Sequence, residues 1–252
     1  SSEPAGVIGQ LDEQRRILEQ ALEHMRVSGA VRWMVSCLAD ISANAIERGD
    51  VDAALKTAEE GVATAERTGR LLDRFKAANA LARGLVATGD QEARAAAERA
   101  FALAREIGGP GALARGTEVL CEACERIGDL DRAGALLDDA LGVLDAGRMP
   151  TMRAGIERLE VLRSRLRLTR GDVAGARRSA DRAMELTPKA HAAAGAMAAL
   201  AAAEVATASG NESEARRLAE QALAVLSPTD HRLLRARVER FASSLGAPSP
   251  GR

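Results

Sequence analysis

Aromatic residues are scarce in this chain of 252 residues, where they make up 2% as three Phe, one Trp and no Tyr. Alanine supplies much of the apolar content instead, and its small side chain suits helices that pack at close range. The scarcity of aromatics also weakens the case for a small-molecule receptor. With 46% hydrophobic and 28% charged residues, the chain can still bury a substantial core and is not a disordered polymer.

Cysteines and long apolar runs are limited as well. Three cysteines are an odd number in a long chain, which argues against a disulfide framework. No apolar run is long enough to span a bilayer. The start, Ser1-Ser2-Glu3-Pro4, lacks a signal peptide's basic and apolar regions and has no initiator Met. These absences predict a cytoplasmic protein, and the missing Met favours a chain excised from a longer one.

An excess of charge of either sign is also absent, because the net charge is −1. Bulk electrostatics therefore do not attract the chain to nucleic acid or to an anionic membrane. Lysine is rare too, since 32 of the 35 basic residues are Arg and only Lys56, Lys76 and Lys189 are Lys. This skew is typical of a high-GC genome and indicates a bacterial origin.

What the chain does have is a recurring turn. A glycine that can end one helix is followed by an aspartate or asparagine that can cap the next. The pair occurs at Gly49-Asp50, Gly89-Asp90, Gly128-Asp129, Gly171-Asp172 and Gly210-Asn211, with a weaker copy at Gly9-Gln10. The steps are 40, 40, 39, 43 and 39 residues, and self-similarity at that period predicts a helical repeat array.

Amphipathic stripes predict two helices around each turn. We expect helices over 31–48 with 51–68, 71–88 with 91–107, 111–127 with 130–147, 152–170 with 173–186, and 191–209 with 212–226. Breakers separate the pairs at Gly108-Gly109-Pro110-Gly111, at Gly147-Arg148-Met149-Pro150 and at Pro188. A helix over 9–28 forms a half repeat before them, and a helix over 230–245 caps the array. Residues 1–246 then form one domain, followed by a disordered tail, 247–252.

Small residues recur at fixed distances from the turn glycine. They stand seven residues before it, five after it and twelve after it, so that two antiparallel helices can approach closely. In these positions lie Ser42, Ala82, Cys121, Ser164 and Ala203; Ala54, Ala133, Ala176 and Ala215; Gly61, Ala140, Ala183 and Ala222; and, with one residue fewer, Ala93 and Ala100.

This pattern resembles the tetratricopeptide repeat (TPR) over residues 9–226. The resemblance implies an all-α solenoid of about five helix-turn-helix repeats, with an N-terminal half repeat and a C-terminal capping helix. The large aromatics of the motif are missing, and the fourth first helix, with Leu159, Leu162 and Leu166, is one residue out of phase, so we expect different local packing there. The long, Ala/Leu/Arg-rich repeats also resemble the TPR regions of MalT-like/LuxR-type and SARP-type bacterial transcriptional regulators.

No pattern of catalytic or metal-binding residues is evident. Cys121 and Cys124 form a C-x-x-C inside a predicted helix, at positions that are small or apolar in other repeats, which favours structural cysteines over a redox pair or half of a metal site. His24, His191 and His231 have no spacing suited to a metal. We therefore expect no enzyme activity, no cofactor and no metal. The single Trp33 is more typical of a packing residue than of a ligand stacker.

The concave face of the array is the candidate binding surface, because first helices line that face in TPR arrays. The repeat phase places polar residues of three first helices on it. The predicted partner-binding residues are Lys76, Asn79, Arg83, Arg115, Glu118, Glu122, Arg158 and Arg165. The five cations favour a protein or peptide with acidic groups. The alternative is an ordinary solvated face whose charges pair with each other.

Three functions fit these patterns. The first is a non-catalytic protein-interaction scaffold that serves as the sensor region of a bacterial transcriptional regulator and acts on other domains of a longer parent chain. The second is a free-standing adaptor. The third is a receptor for a peptide or small molecule in the concave groove.

Overall fold

The described part of the molecule consists of helices joined by short turns. The computed structural model describes residues 10–146, 155–187 and 191–245, and it contains twelve helices and no strand within them. We number them α1 (Leu11–Ser28), α2 (Val31–Arg48), α3 (Val51–Thr68), α4 (Leu71–Thr88), α5 (Ala93–Ile107), α6 (Pro110–Arg126), α7 (Leu130–Ala146), α8 (Ile156–Thr169), α9 (Val173–Leu186), α10 (Ala192–Ala208), α11 (Glu212–Leu226) and α12 (Arg232–Ser244).

The all-α class expected from the sequence is therefore confirmed. The helix bounds lie within two residues of the expected ones, except at α8, which was expected to start at residue 152. Gly9, the breakers at 147–150 and at Pro188, and the tail 247–252 lie outside the described residues.

The recurring turn has one backbone geometry in each repeat. Gly49 has φ +86°, a left-handed conformation that only glycine adopts at little cost, and the N–H of Asp50 donates to the carbonyl of Ala45 at 2.9 Å. The same bond closes the helix before each later turn. Its donors are Asp90, Asp129, Asp172 and Asn211.

The residue after the glycine caps the next helix in three of these turns. The side chains of Asp50, Asp172 and Asn211 accept hydrogen bonds from the backbone N–H three residues on. Asp90 instead accepts from the N–H of Glu92, and α5 starts later, at Ala93. The local turn chemistry thus accounts for the one-residue shift of the second repeat.

The small residues lie where two helices approach. Ala54, Ala133, Ala176 and Ala215 are all fully buried. The residue seven before the turn glycine faces the second helix, and where it carries a hydroxyl it bonds that helix: Ser42 Oγ donates to the carbonyl of Ala54 at 2.9 Å, and Ser164 Oγ to that of Ala176 at 3.0 Å. At Gly116 of α6, a Cβ would lie 2.8 Å from that of Ala104, so α5 and α6 pack too closely there for any side chain.

The fourth repeat packs differently, as its shifted phase suggests. Leu159, Leu162 and Leu166 are buried in the core of the neighbouring repeat, but Glu160 is fully buried beside them. Arg163 forms a two-pronged contact with that carboxylate, at 2.7 and 3.1 Å, and Arg182 Nε lies 3.3 Å from it. The charge of Glu160 is therefore paired on two sides, which a buried carboxylate requires.

The helices form an inner and an outer series. The inner helices α2, α4, α6, α8, α10 and α12 each contact the next in this order, and α12 also contacts α2. The last helix is therefore more than the cap expected from the sequence. It takes the place of a sixth inner helix and returns the series to its beginning.

Trp33 is not the packing residue that the sequence suggested. It is 58% exposed, and the guanidinium of Arg32 lies 5.1 Å from its ring centroid. The reason is that α1 packs on another side of α2, through Leu18 and Leu22 against Met34, Cys37, Leu38 and Ile41.

Candidate partner-binding site

The candidate site lies on the inner helices α4, α6 and α8. Side chains of adjacent inner helices meet in pairs there. Lys76 Nζ donates to Ser36 Oγ of α2 at 2.7 Å, and these two residues occupy the same position in successive repeats. Arg158 of α8 lies 3.4 Å from Glu118 of α6, and Arg165 pairs with Glu125 one repeat earlier. These four charged side chains keep between about one sixth and one third of their surface in contact with solvent.

Glu122 lies among these charges on α6. Burial, and to a smaller extent the negative charge of Glu118, raise the pKa of Glu122 to about 7, although Arg83 and Arg165 oppose the shift. Its carboxyl group can therefore hold or release a proton near neutral pH. Arg83 acts electrostatically on this carboxyl group, but among the described residues it makes no ion pair.

Glu47 belongs to the same surface, although the sequence did not suggest it. It lies one helical turn after Ala43, the residue of α2 that corresponds to Arg83 of the predicted site one repeat later. Its Oε2 is 3.2 Å from Nδ1 of His231, the residue before α12. Burial would raise the pKa of Glu47, but the hydrogen bond from His231 and the positive charges of His231, Arg83 and Arg158 outweigh it and lower the pKa. Extending the predicted row by one helical turn would have found Glu47. Nothing in the local sequence could have found His231.

The other predicted residues have different surroundings. Asn79 is only 9% exposed, and its Oδ1 accepts no hydrogen bond within the described part of the chain. Arg115 is exposed and makes no ion pair with a described residue. The structure therefore brings Arg83, Glu118, Glu122, Arg158 and Arg165 into mutual electrostatic range, whereas Asn79 is mostly enclosed and Arg115 stands apart.

The chemistry of this surface is that of recognition by charge and hydrogen bonding. Cations and carboxylates alternate on it, and two of the predicted cations, Arg158 and Arg165, already pair with carboxylates of a neighbouring repeat. Such pairing is what the interpretation as an ordinary solvated face predicts. Arg83 and Arg115 keep guanidinium groups that can pair with a carboxylate in a two-pronged geometry.

The three cysteines are buried and form no disulfides. Burial raises the pKa of Cys37 to about 11 and also raises the pKa of Cys121 and Cys124. Cys121 Sγ contacts the carbonyl of Ala133 at 3.6 Å, in the place of the serine hydroxyls of other repeats. Such thiols are poor nucleophiles and metal ligands.

No group of three or more His, Cys, Asp or Glu side chains in ranges 10–146, 155–187 and 191–245 has the arrangement of a metal site. None of the helices described is long and apolar enough to cross a bilayer.

Comparison with known proteins identifies the fold. No family model matches the sequence, and no curated protein does. Among solved structures, BtubC (BKLC) from P. vanneervenii is 16% identical with a TM-score of 0.62, over 96% of this chain and 95% of its own. TTC0263, a thermophilic TPR protein in Thermus thermophilus, is 22% identical with a TM-score of 0.58, over 82% and 98%. A Rap protein complexed with competence and sporulation factor is 11% identical with a TM-score of 0.58, over 93% and 71%. The chain thus has the fold of TPR-type repeat proteins.

Proposed function

We propose that this chain is a non-catalytic protein-interaction module that binds an extended segment of a partner protein on its concave face. The observation that carries the proposal is the meeting of partly exposed charged side chains from α2, α4, α6 and α8 on one surface. An extended peptide has carboxylates, amines and backbone amides at intervals that such a surface can pair.

The partner segment is acidic in this proposal. Three of the predicted cations, Lys76, Arg83 and Arg115, form no ion pair with a described carboxylate. Lys76 is held by Ser36, so Arg83 and Arg115 are the two that a ligand carboxylate can bind without breaking an existing hydrogen bond or ion pair. A basic segment would have to compete with Arg158 and Arg165 for Glu118 and Glu125. Lys76, Asn79, Glu118, Glu122, Arg158 and Arg165 complete the proposed site.

For the biological role, we propose the sensor region of a cytoplasmic bacterial transcriptional regulator. The Arg-rich composition and the long repeat period support it, and the Rap protein above, which shares the fold, was solved with a competence and sporulation factor. The gene of the source organism tests this role: a reading frame that encodes neither an ATPase nor a DNA-binding domain would favour the free-standing adaptor instead.

The groove itself is tested by charge reversal. We expect Arg83→Glu with Arg115→Glu to abolish capture of specific partners from a lysate of the source organism, since both cations that face the partner are inverted. The matched control is Arg99→Glu with Arg178→Glu, which reverses two arginines on the outer helices α5 and α9. Circular dichroism first establishes that both variants are folded.

The outcomes separate the alternatives. Partners that are lost with the groove variant and kept with the control identify the concave face as the binding surface. Partners that are kept with the groove variant and lost with the control would move the site to the convex face. Partners kept with both variants would exclude Arg83 and Arg115 from binding.

A further inference from the structure

The turn before the last helix supplies the N-cap that the first helix lacks. Gln10 precedes α1 without a capping hydrogen bond from its side chain. The carboxylate of Asp230 fills this role from 219 residues away, because Oδ1 accepts from the N–H of Leu11 at 2.6 Å and Oδ2 from that of Asp12 at 2.8 Å. A negative charge at the start of a helix is also favourable to its dipole.

Two more contacts join the same ends. His231, which is almost fully buried, lies 3.2 Å from the carboxylate of Glu47 at the end of α2. A Cβ added at Gly49 would lie 3.3 Å from Leu233, so α12 passes directly over the turn between α2 and α3. Asp230, His231 and the first turn of α12 thus together touch α1, α2 and the turn that follows them.

The other attachment of α12 is stronger. Arg235 Nη2 donates to the carbonyls of Leu226, Ser227 and Thr229, which fixes the turn between α11 and α12. Val238 is fully buried against α10 and α11, with Phe241 beside it. At the α1–α2 end, by contrast, the contact consists of polar groups and of Leu233, which stays half-exposed. Segments held by few buried apolar contacts open first.

We propose that α12 is a latch. Its first turn closes the ring of inner helices in the free protein, and release of that turn from α1 and α2 opens the concave groove from the side while α12 stays attached to α11. A partner segment that binds the concave face would then enter through the opened side. This consequence rests on the function proposed above, whereas the latch itself does not.

Distances between spin labels test the latch without any ligand. Labels on cysteines introduced at Gln20 of α1 and Glu239 of α12 span the latch, and labels at Glu220 of α11 and Glu239 form a reference pair within the last repeat. All three sites are exposed, whereas the native cysteines are buried. The variants are Asp230→Ala and Glu47→Gln, with Asp181→Ala as a matched control on the exposed surface of α9.

The wild type and the control should give one main distance across the latch. We expect Asp230→Ala to increase the fraction at longer distances about fivefold, the factor that corresponds to the loss of a helix N-cap, and Glu47→Gln to act in the same direction. The reference pair should not change. Because no partner is present, this result is independent of whether the groove binds a peptide.

Two results would overturn the proposal. An unchanged distance in both variants would mean that the Asp230 and Glu47 contacts do not hold the ring closed. Loss of helical circular dichroism in both variants would mean that the contact is required for folding and cannot open on its own. If only Asp230→Ala fails to fold, the distance across the latch in Glu47→Gln decides whether the proposal holds.

Discussion

At the scale of single residues, one position of the repeat is occupied by different small side chains. The residue seven before the turn glycine is Ser42, Cys121 or Ser164 in three repeats, and each contacts a carbonyl of the second helix twelve residues on. Ala82 occupies the position without a polar atom and is equally buried. The requirement is therefore small size, and the hydrogen bond is an addition worth about 1 kcal/mol where the polar atom is present.

Glu122 has a carboxyl group whose ionised form is destabilised in the folded protein, mainly by burial. Because its pKa is raised to about 7 from an ordinary value of 4.5, the folded state binds a proton more tightly than the unfolded state does. Stability that depends on this group is then lost as the pH rises from 4.5 to 7 and stays lost above 7. We expect Glu122→Gln to raise the melting temperature at pH ~8 and to change it progressively less as the pH falls toward 4.5.

The control for this prediction is Glu59→Gln, on the exposed surface of α3. Its effect on the melting temperature should be small and similar at pH ~8 and pH ~5. A Glu122→Gln variant that shifts the melting temperature equally at both pH values would show that Glu122 does not carry a proton in the folded protein at neutral pH.

At the scale of helices, close approach determines which side chains are possible. The second helices present buried alanines to the first helices, and Ala140 of α7 is 3% exposed in the largest core cluster. Alanines on the opposite side of the outer helices, such as Ala95 of α5, are exposed. A helix in this array therefore has one face that accepts only small residues and one that accepts any.

We expect Ala140→Arg to lower the free energy of unfolding by about 3 kcal/mol, because it forces a charge and extra volume into a closed helix contact. Ala95→Arg should change it by less than about 0.5 kcal/mol, as surface substitutions usually do. Denaturant titration followed by circular dichroism measures both. Equal effects of the two substitutions would show that the alanines twelve residues after the turn glycine do not form the helix contact.

At the scale of the whole molecule, closure makes this array different from an open solenoid. In an open array each repeat contacts only its neighbours, so a change in the last repeat leaves the first one unaffected. Here Asp230 binds the start of α1, and α12 contacts α2. The first and last repeats are therefore neighbours in space, although they are the most distant in sequence.

This difference predicts long-range coupling. We expect Asp230→Ala to accelerate hydrogen exchange of the backbone amides of residues 15–22, which lie within α1 and beyond the first turn that Asp230 caps. Exchange within α8 should remain as in the wild type. Faster exchange confined to Leu11 and Asp12 would indicate the loss of two hydrogen bonds without any loosening of the first repeat.

The sequence by itself determined most of the local structure. Glycines that adopt a left-handed conformation, Asp and Asn caps, and small residues at fixed offsets act over a few residues, so the repeat period and the all-α class could be predicted from them. The shifted phase of the fourth repeat was visible in the same way. Residues at the same position of successive repeats, such as Ser36 and Lys76, come into contact, as the constant step indicates.

Only the tertiary structure determined how far the array curves and which distant residues that curvature brings into contact. Curvature accumulates from small rotations between repeats, and no single repeat carries it in its sequence. The pairing of Asp230 with α1 and of His231 with Glu47 depends on that sum. These contacts could not be predicted from local patterns, because the residues that form them are brought together only after all the repeats have packed.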